Sequence, residues 1–270
     1  FVNAGYISRQ PNFDGVFPNY ANVVNKDLQN EKIQSIELGY GYIGNGFKLN
    51  VNVYSTVWGN RFVSRSLSNQ QGVDGFAQFN DIDVVHNGIE IEGQYRPSGS
   101  TKIRGMLSIG DWTYTKDFEA ELFDDNQQLV GTGTLYLEGA KVGDAAQFVA
   151  YVGIDQRFGE KINVDLDYRF VDGLYADYSI TDSAFTEANN PGALKLPSYG
   201  LVDLGATFRF SSGWSLRANI NNLLNTVYIA ESNSNIHASA GSDTWNGIDK
   251  QNSVWFGFGR TWNLSLRYQF

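Results

Sequence analysis

The chain has 270 residues, a formal net charge of −9 and no cysteine. Its acidity excludes a basic nucleic-acid-binding surface, and the missing thiols exclude disulfides, cysteine nucleophiles and cysteine metal sites. No run of about 18 apolar residues offers a transmembrane helix, which leaves alternating strands as the route by which this chain could cross a bilayer.

From its first residues, FVNAGYISRQ, the chain reads as a strand already under way over 2–6, so it is read as part of a longer protein. Next come IELGYGY (36–42) and FKLNVNVY (47–54), separated by the turn residues IGNG. In the second of these, Phe47, Leu49, Val51 and Val53 oppose Lys48, Asn50, Asn52 and Tyr54. GIEIEGQY (88–95) and KIRGMLSIG (102–110) flank PSGS; FVAYVGIDQRF (148–158) and KINVDLDYRF (161–170) flank FGEK. LVDLGATFRF (201–210) and GWSLRANIN (213–221) flank SSG, and TWNLSLRYQF (261–270) closes the chain. Period two over seven to ten residues is a strand signal, and these segments predict about ten strands.

Gly, Asn, Ser and Pro fit the short connections to tight turns. Between them lie long connections at about 9–33, 59–86, 115–146, 172–199 and 225–259, so short and long alternate along the chain. Loops of that length are unusual in compact soluble domains; short turns at one end and long loops at the other describe an outer-membrane barrel.

Both faces of the strands agree with that architecture. Aromatics gather near the short turns on the apolar face, among them Tyr42, Phe47, Tyr95, Phe158, Phe208, Phe210, Trp214, Tyr268 and Phe270, as in the interfacial girdle of a lipid-facing barrel. The opposite face carries Asp165, Asp167, Arg169, Asp203, Arg209, Arg217 and Arg267, which predicts an inward, wet or protein-filled side. Trp58, Phe76, Phe79 and Trp112 fall at strand–loop junctions; they fit either an outer girdle or, for Phe76 and Phe79 in particular, contacts to a ligand.

Chemistry-bearing groups are sparse. Glu90/Glu92 and Asp165/Asp167 are i, i+2 pairs on one strand face, about 7 Å apart, and read as a solvated wall before an acid–base pair. The acidic run with Asp117, Glu119, Glu121, Asp124 and Asp125 lacks the glycine-spaced pattern of a calcium loop. His86 and His237 have no metal-ligand spacing. His237 and Trp245, with Asn246 beside it, sit among small polar residues, a setting that suits ligand stacking but also ordinary loop surface. No triad, phosphate loop or zinc motif is present, so the chain is read as no enzyme and as needing no cofactor.

The C-terminal quarter resembles the end of a TonB-dependent outer-membrane receptor. Leu196-Pro197, Asp203, Asn219, Asn221-Asn222-Leu223-Leu224, Tyr228, Gly259-Arg260 and Phe270 fall where that family has them. The resemblance covers about residues 196–270; upstream, only the rhythm of strands and loops matches. It implies a 22-stranded barrel with a plugged lumen, of which 1–270 would be the C-terminal portion, without the plug and first strands. It further implies import of a scarce nutrient such as a siderophore, glycan, peptide or cofactor across the bacterial outer membrane. The implied partners are membrane lipid, the remaining strands and plug, and the TonB complex through the missing N-terminal region. Tyr268 and Phe270 would be the signal read by the barrel-assembly machinery. Whether a surface lipoprotein covers the mouth stays open. A ten-stranded porin or adhesin, and a secreted β-sandwich that binds carbohydrate, are the alternative readings.

Overall fold

A computed structural model describes residues 1–17, 22, 24–67, 75–178, 185–211 and 213–269. The strands in chain order are β1 (Val2–Arg9), β2 (Glu31–Gly44), β3 (Phe47–Leu67), β4 (Gly75–Tyr95), β5 (Thr101–Tyr114), β6 (Phe118–Asp124), β7 (Leu129–Leu135) and β8 (Phe148–Phe158). They continue as β9 (Ile162–Asp172), β10 (Tyr199–Ser211), β11 (Trp214–Asn221), β12 (Ile229–Ser232), β13 (Thr244–Trp245), β14 (Ile248–Asp249), β15 (Val254–Phe256) and β16 (Thr261–Tyr268). One helical turn, α1 (Phe13–Val16), is capped by Asn12, whose side chain accepts the Gly15 N–H at 2.9 Å.

Ten strands form the wall in the order β1-β2-β3-β4-β5-β8-β9-β10-β11-β16. Each neighbouring pair is antiparallel. Each of the ten predicted segments overlaps one of these strands. Among the described residues the sheet does not close: β1 and β16 are its edges, and every residue of both is exposed. It is an all-β, antiparallel part of a barrel.

Local chemistry sets the turns. Gly44 faces Phe47 across Asn45 and Gly46, with φ of 50° and 75°. That is the left-handed pair a two-residue hairpin needs. A Cβ at Gly46 would also stand 2.9 Å from the Arg96 carbonyl oxygen.

The long connections differ most from the sequence expectation. The stretch 59–86 is mostly strand: β3 and β4 run on as far as the Leu67–Gly75 pair. Register shifts between Trp58 and Arg61 and between Arg61 and Val63 re-phase the alternation, so a period-two reading stops there although pairing does not. The connection 115–146 holds the β6–β7 hairpin, and 225–259 holds the pairs β12–β15 and β13–β14.

Packing is confined to one end of one face. Val84, Tyr114 and half-buried Trp58 share the face of His86, Trp112 and the charged residues, yet they sit in a core with Phe79, Phe118, Leu135, Leu137, Tyr178 and Phe185. The outer loops therefore fold over the polar face and bury its last residues. A second core joins Leu174, Ala176, Leu194, Leu196, Ile229 and Ile248.

The apolar face is left bare, with Ile36, Leu38, Val53, Val152, Ile154, Leu166, Leu264 and Leu266 all exposed. Leaving such side chains in water forgoes about 1.5–3 kcal/mol each, and soluble monomers rarely expose a contiguous apolar patch of this kind. Near the short turns this face carries contacting rings: Tyr42 with Phe47, Phe47 with Tyr95, Phe210 with Trp214, and Trp214 with Tyr268. This is the predicted girdle. Phe270 lies outside the described residues.

Candidate lumen wall and loop site

The polar face of β5, β8, β9, β10 and β11 carries a lattice of ion pairs. Register sets Asp155 opposite Asp165, and like charges so placed repel. Each acid is met by cations from strands on either side. Lys102 Nζ and Arg104 Nε stand 3.2 and 3.1 Å from Asp155, and Arg104 Nη2 stands 2.9 Å from Asp167. The Tyr151 hydroxyl donates to that same Asp167 oxygen. Arg217 grips Asp165 with both terminal nitrogens, at 2.8 and 2.9 Å, and donates to the Thr207 hydroxyl at 3.1 Å.

Two glycines make room for these crossings. A Cβ at Gly205 would lie 2.1 Å from Asp165 and 2.6 Å from Arg217; one at Gly153 would lie 2.2 Å from Asp167 and 2.3 Å from the Tyr151 hydroxyl. Asp165 is buried by its partners.

Of the charged residues predicted for this face, the lattice takes Asp165, Asp167 and Arg217. Arg209 lines one cleft at the short-turn end with Arg96 and Arg157 and a second with Arg267, and neither Arg209 nor Arg267 has a carboxylate partner among the described residues. Arg169 is exposed near Tyr199. Asp203 turns to the backbone and accepts the Asn222 N–H at 2.7 Å. Lys102, Arg104, Tyr151 and Asp155 join the lattice beyond the predicted residues, and the same alternation in KIRGMLSIG and FVAYVGIDQRF puts them on this face.

Beside Asp203, the outer ends of β10, β11 and β16 are stitched together. Asn222 accepts from the Thr226 N–H at 2.8 Å and donates to the carbonyls of Thr226 and Phe258 at 2.9 and 3.2 Å. Asn225 accepts from the Arg260 N–H at 2.9 Å. Tyr228 stacks on Tyr199 at 4.2 Å and lies where a Gly257 Cβ would be. The motif residues of this segment thus act on backbone geometry.

The five loop candidates do not form one site. Phe79 is 1% exposed inside the first core, and Phe76, 4% exposed, stacks on Phe123 at 5.1 Å. Both rings serve packing, and Phe76 also borders a cleft with Phe123, Gln78 and Glu121. Trp245 packs on the second core, edge-on to Phe256 at 5.2 Å. Asn246 and Gly247 form its hairpin turn, with φ of 47° and 85°. Trp245 and Asn246 border a groove with Tyr168, Tyr199 and Tyr228. His237 Nε2 contacts the Gly192 carbonyl at 3.0 Å, within its own loop layer. Trp58 and Trp112, alternatively expected in an outer girdle, stand on the polar face.

In the acidic run, Asp117 accepts the Glu138 N–H at 2.9 Å and Asp124 the Gln128 N–H at 2.8 Å, so both cap turns. Burial pulls the Lys116 ammonium down, but hydrogen bonds from it to Asp81 and Asp83 outweigh that and hold its pKa above the ordinary lysine value. Lys195 is held up likewise, by its hydrogen bond to Asp172 at 2.9 Å.

Comparison with known proteins places this geometry. A family model described as "TonB dependent receptor-like, beta-barrel" matches residues 1–223. No curated protein sequence matches the chain. Among solved structures, the copper transporter OprC aligns with 100% of this chain at TM-score 0.66 and 16% identity. The ferric-catecholate import receptor Fiu from K12 E. coli aligns with 100% at TM-score 0.64 and 14% identity. The ferric yersiniabactin uptake receptor FyuA from Yersinia pestis does so at 0.65 and 15%. The chain spans 37%, 32% and 34% of these proteins, about a third of their length. At such identities the likeness is one of fold.

Proposed function

The chain belongs to the TonB-dependent receptor-like β-barrel family, and from that premise we propose that it forms the C-terminal wall and outer loops of an outer-membrane transporter that imports a scarce nutrient. One observation carries the reading: a continuous exposed apolar face, edged by contacting aromatics, backs directly onto a charged, ion-paired face. Such two-sidedness fits a wall with lipid outside and water or protein inside.

In this reading the remaining strands and the plug come from other parts of the same protein, with 1–270 as the C-terminal portion of the barrel. The TonB complex acts through that other part, and energy from the inner membrane releases cargo held near the loops. Trp245, Asn246 and His237 belong to the loop layer that cargo meets first. Asp165, Asp167 and Arg217 keep the wall in register, while Arg169, Arg209 and Arg267 face the interior. Tyr268 and Phe270 form the terminal strand presented to the assembly machinery. The chain performs no bond chemistry.

The test uses the full-length protein. It should fractionate with the outer membrane, migrate differently before and after heating, and support uptake that ceases when TonB is deleted. A protein that is soluble without detergent would overturn the reading in favour of a β-sandwich.

A further inference from the structure

Just beneath the loop core, three rings converge on the polar face of β3, β4 and β5. Trp112 Nε1 donates to the Tyr54 hydroxyl at 3.1 Å, and His86 stands edge-on to Trp112 with centroids 5.4 Å apart. Register places Tyr54 opposite Gly88, Gly88 opposite Gly110, and His86 opposite Trp112. A Cβ at Gly88 would lie 2.4 Å from the Tyr54 hydroxyl, and one at Gly110 would lie 2.8 Å from Trp112 Nε1. The two large rings therefore lie along the wall over glycines, and both remain partly exposed.

Charges of both signs border this ledge: Arg61 stands near His86 and over the Trp58 ring at 4.8 Å, and carboxylates lie on the other side. Glu37 faces Tyr54, Glu90 faces Asn52 and Glu92 faces Asn50. None of the three glutamates has an ion-pair partner among the described residues. Asn52 Oδ1 is buried without a hydrogen-bond partner, and an acceptor so placed lacks a donor worth about 1–3 kcal/mol. On the neighbouring strand, Lys102 and Arg104 are engaged by Asp155 and Asp167.

We propose that this ledge binds a neutral saccharide. A sugar ring offers an apolar face for Trp112 and Tyr54, and hydroxyls that donate to the accessible carboxylates of Glu37 and Glu90 while accepting from side-chain amides. Apolar lining with a few convergent polar groups is the usual composition of a small-molecule site. An anionic chelate would be repelled by the three carboxylates. A cation would gain from both rings and carboxylates, but it would meet the Arg61 guanidinium beside His86 and Trp58, which a neutral ligand does not.

The inference rests on the transporter reading, and its test separates the two. Purified full-length protein in detergent is titrated calorimetrically with maltohexaose, cellohexaose, xylohexaose and chitohexaose, and with tri-arginine as the cationic probe. At least one hexasaccharide should bind, and Trp112→Ala should weaken it by about tenfold. If Trp112→Ala loses the heat-dependent gel shift, Tyr54→Ala carries the same comparison. Failure of all four sugars, undiminished binding by the folded variant, or binding of tri-arginine alone would overturn the saccharide assignment. An outer-membrane protein that binds none of the sugars yet supports TonB-dependent uptake would overturn this ligand and leave the transporter standing.

Discussion

Arg217 and Asp165 hold each other across an intervening strand. The guanidinium of β11 reaches the carboxylate of β9 with two bonds, at 2.8 and 2.9 Å, over β10 where Gly205 leaves the gap. Removing one partner of a half-buried charged pair leaves the other unmet, so Asp165→Asn should cost about 1–3 kcal/mol. Gly205→Ala should cost about as much without touching either charge. Because both remove one interaction, the double variant should fall short of the sum. Urea unfolding of the detergent-solubilised full-length protein measures all three; additive losses would contradict the shared pair.

A second contact ties the last wall strand to its neighbour on the apolar side. Trp214 and Tyr268 face each other in register with ring centroids 4.7 Å apart. A double-mutant cycle of Trp214→Ala and Tyr268→Ala should give a coupling of about 0.5–1.5 kcal/mol. Deleting Phe270 should lower the amount of protein at the surface, measured by accessible labelling of whole cells. Unchanged surface levels would count against an assembly role for the terminal strand.

The loop core makes a prediction that is local to the mouth. Phe79 and Phe185 are buried against Tyr178, Phe118 and Leu137. Truncating either to Ala should cost about 3–5 kcal/mol in that layer. Limited proteolysis should then cut within 115–146 and 172–199 while the heat-dependent shift of the barrel persists. Loss of the shift together with the loops would mean that wall and cap unfold as one unit.

Asn222 holds a left-handed φ of 51° and bonds to two segments through one amide. Asn222→Ala loses both the bonds and a residue type that tolerates this backbone. A cost of about 1–3 kcal/mol is expected. Asn222→Asp keeps the acceptor for Thr226 but not the donor, and should fall between the two in thermal unfolding.

Lys116 has a raised pKa, so the stability it contributes is fully present below the ordinary lysine value of 10.5 and is lost as pH rises through its higher folded value. Both Lys116 and Asp81 are well exposed, which limits the pair to a few tenths of a kcal/mol. Loop proteolysis should therefore be indifferent to this pair between about pH 6 and 9, and Lys116→Met should change it little. A marked change across that range would require another titrating group.

Much of the wall was legible in the residues. Strict alternation in KINVDLDYRF and LVDLGATFRF identified each strand and its two faces, because side chains in a strand change sides at every step. Turn residues such as Asn45 and Gly46 fixed the short ends, and the aromatics beside them marked the girdle. The loops were not legible in this way. Phe76 and Phe79 looked like surface aromatics because the register shifts around Arg61 leave no periodic trace in the sequence.

Strands, their two faces and the tight turns follow from local residue order, since each depends on neighbours one to four residues apart. Which Asp meets which Arg, the backbone clamps at Asn222 and Asp203, and the meeting of Tyr54 and Trp112 over two glycines emerge with the assembled sheet. Those contacts join residues separated by 19 to 63 positions. They exist only once strand register has set the partners, and register is a property of the assembled sheet.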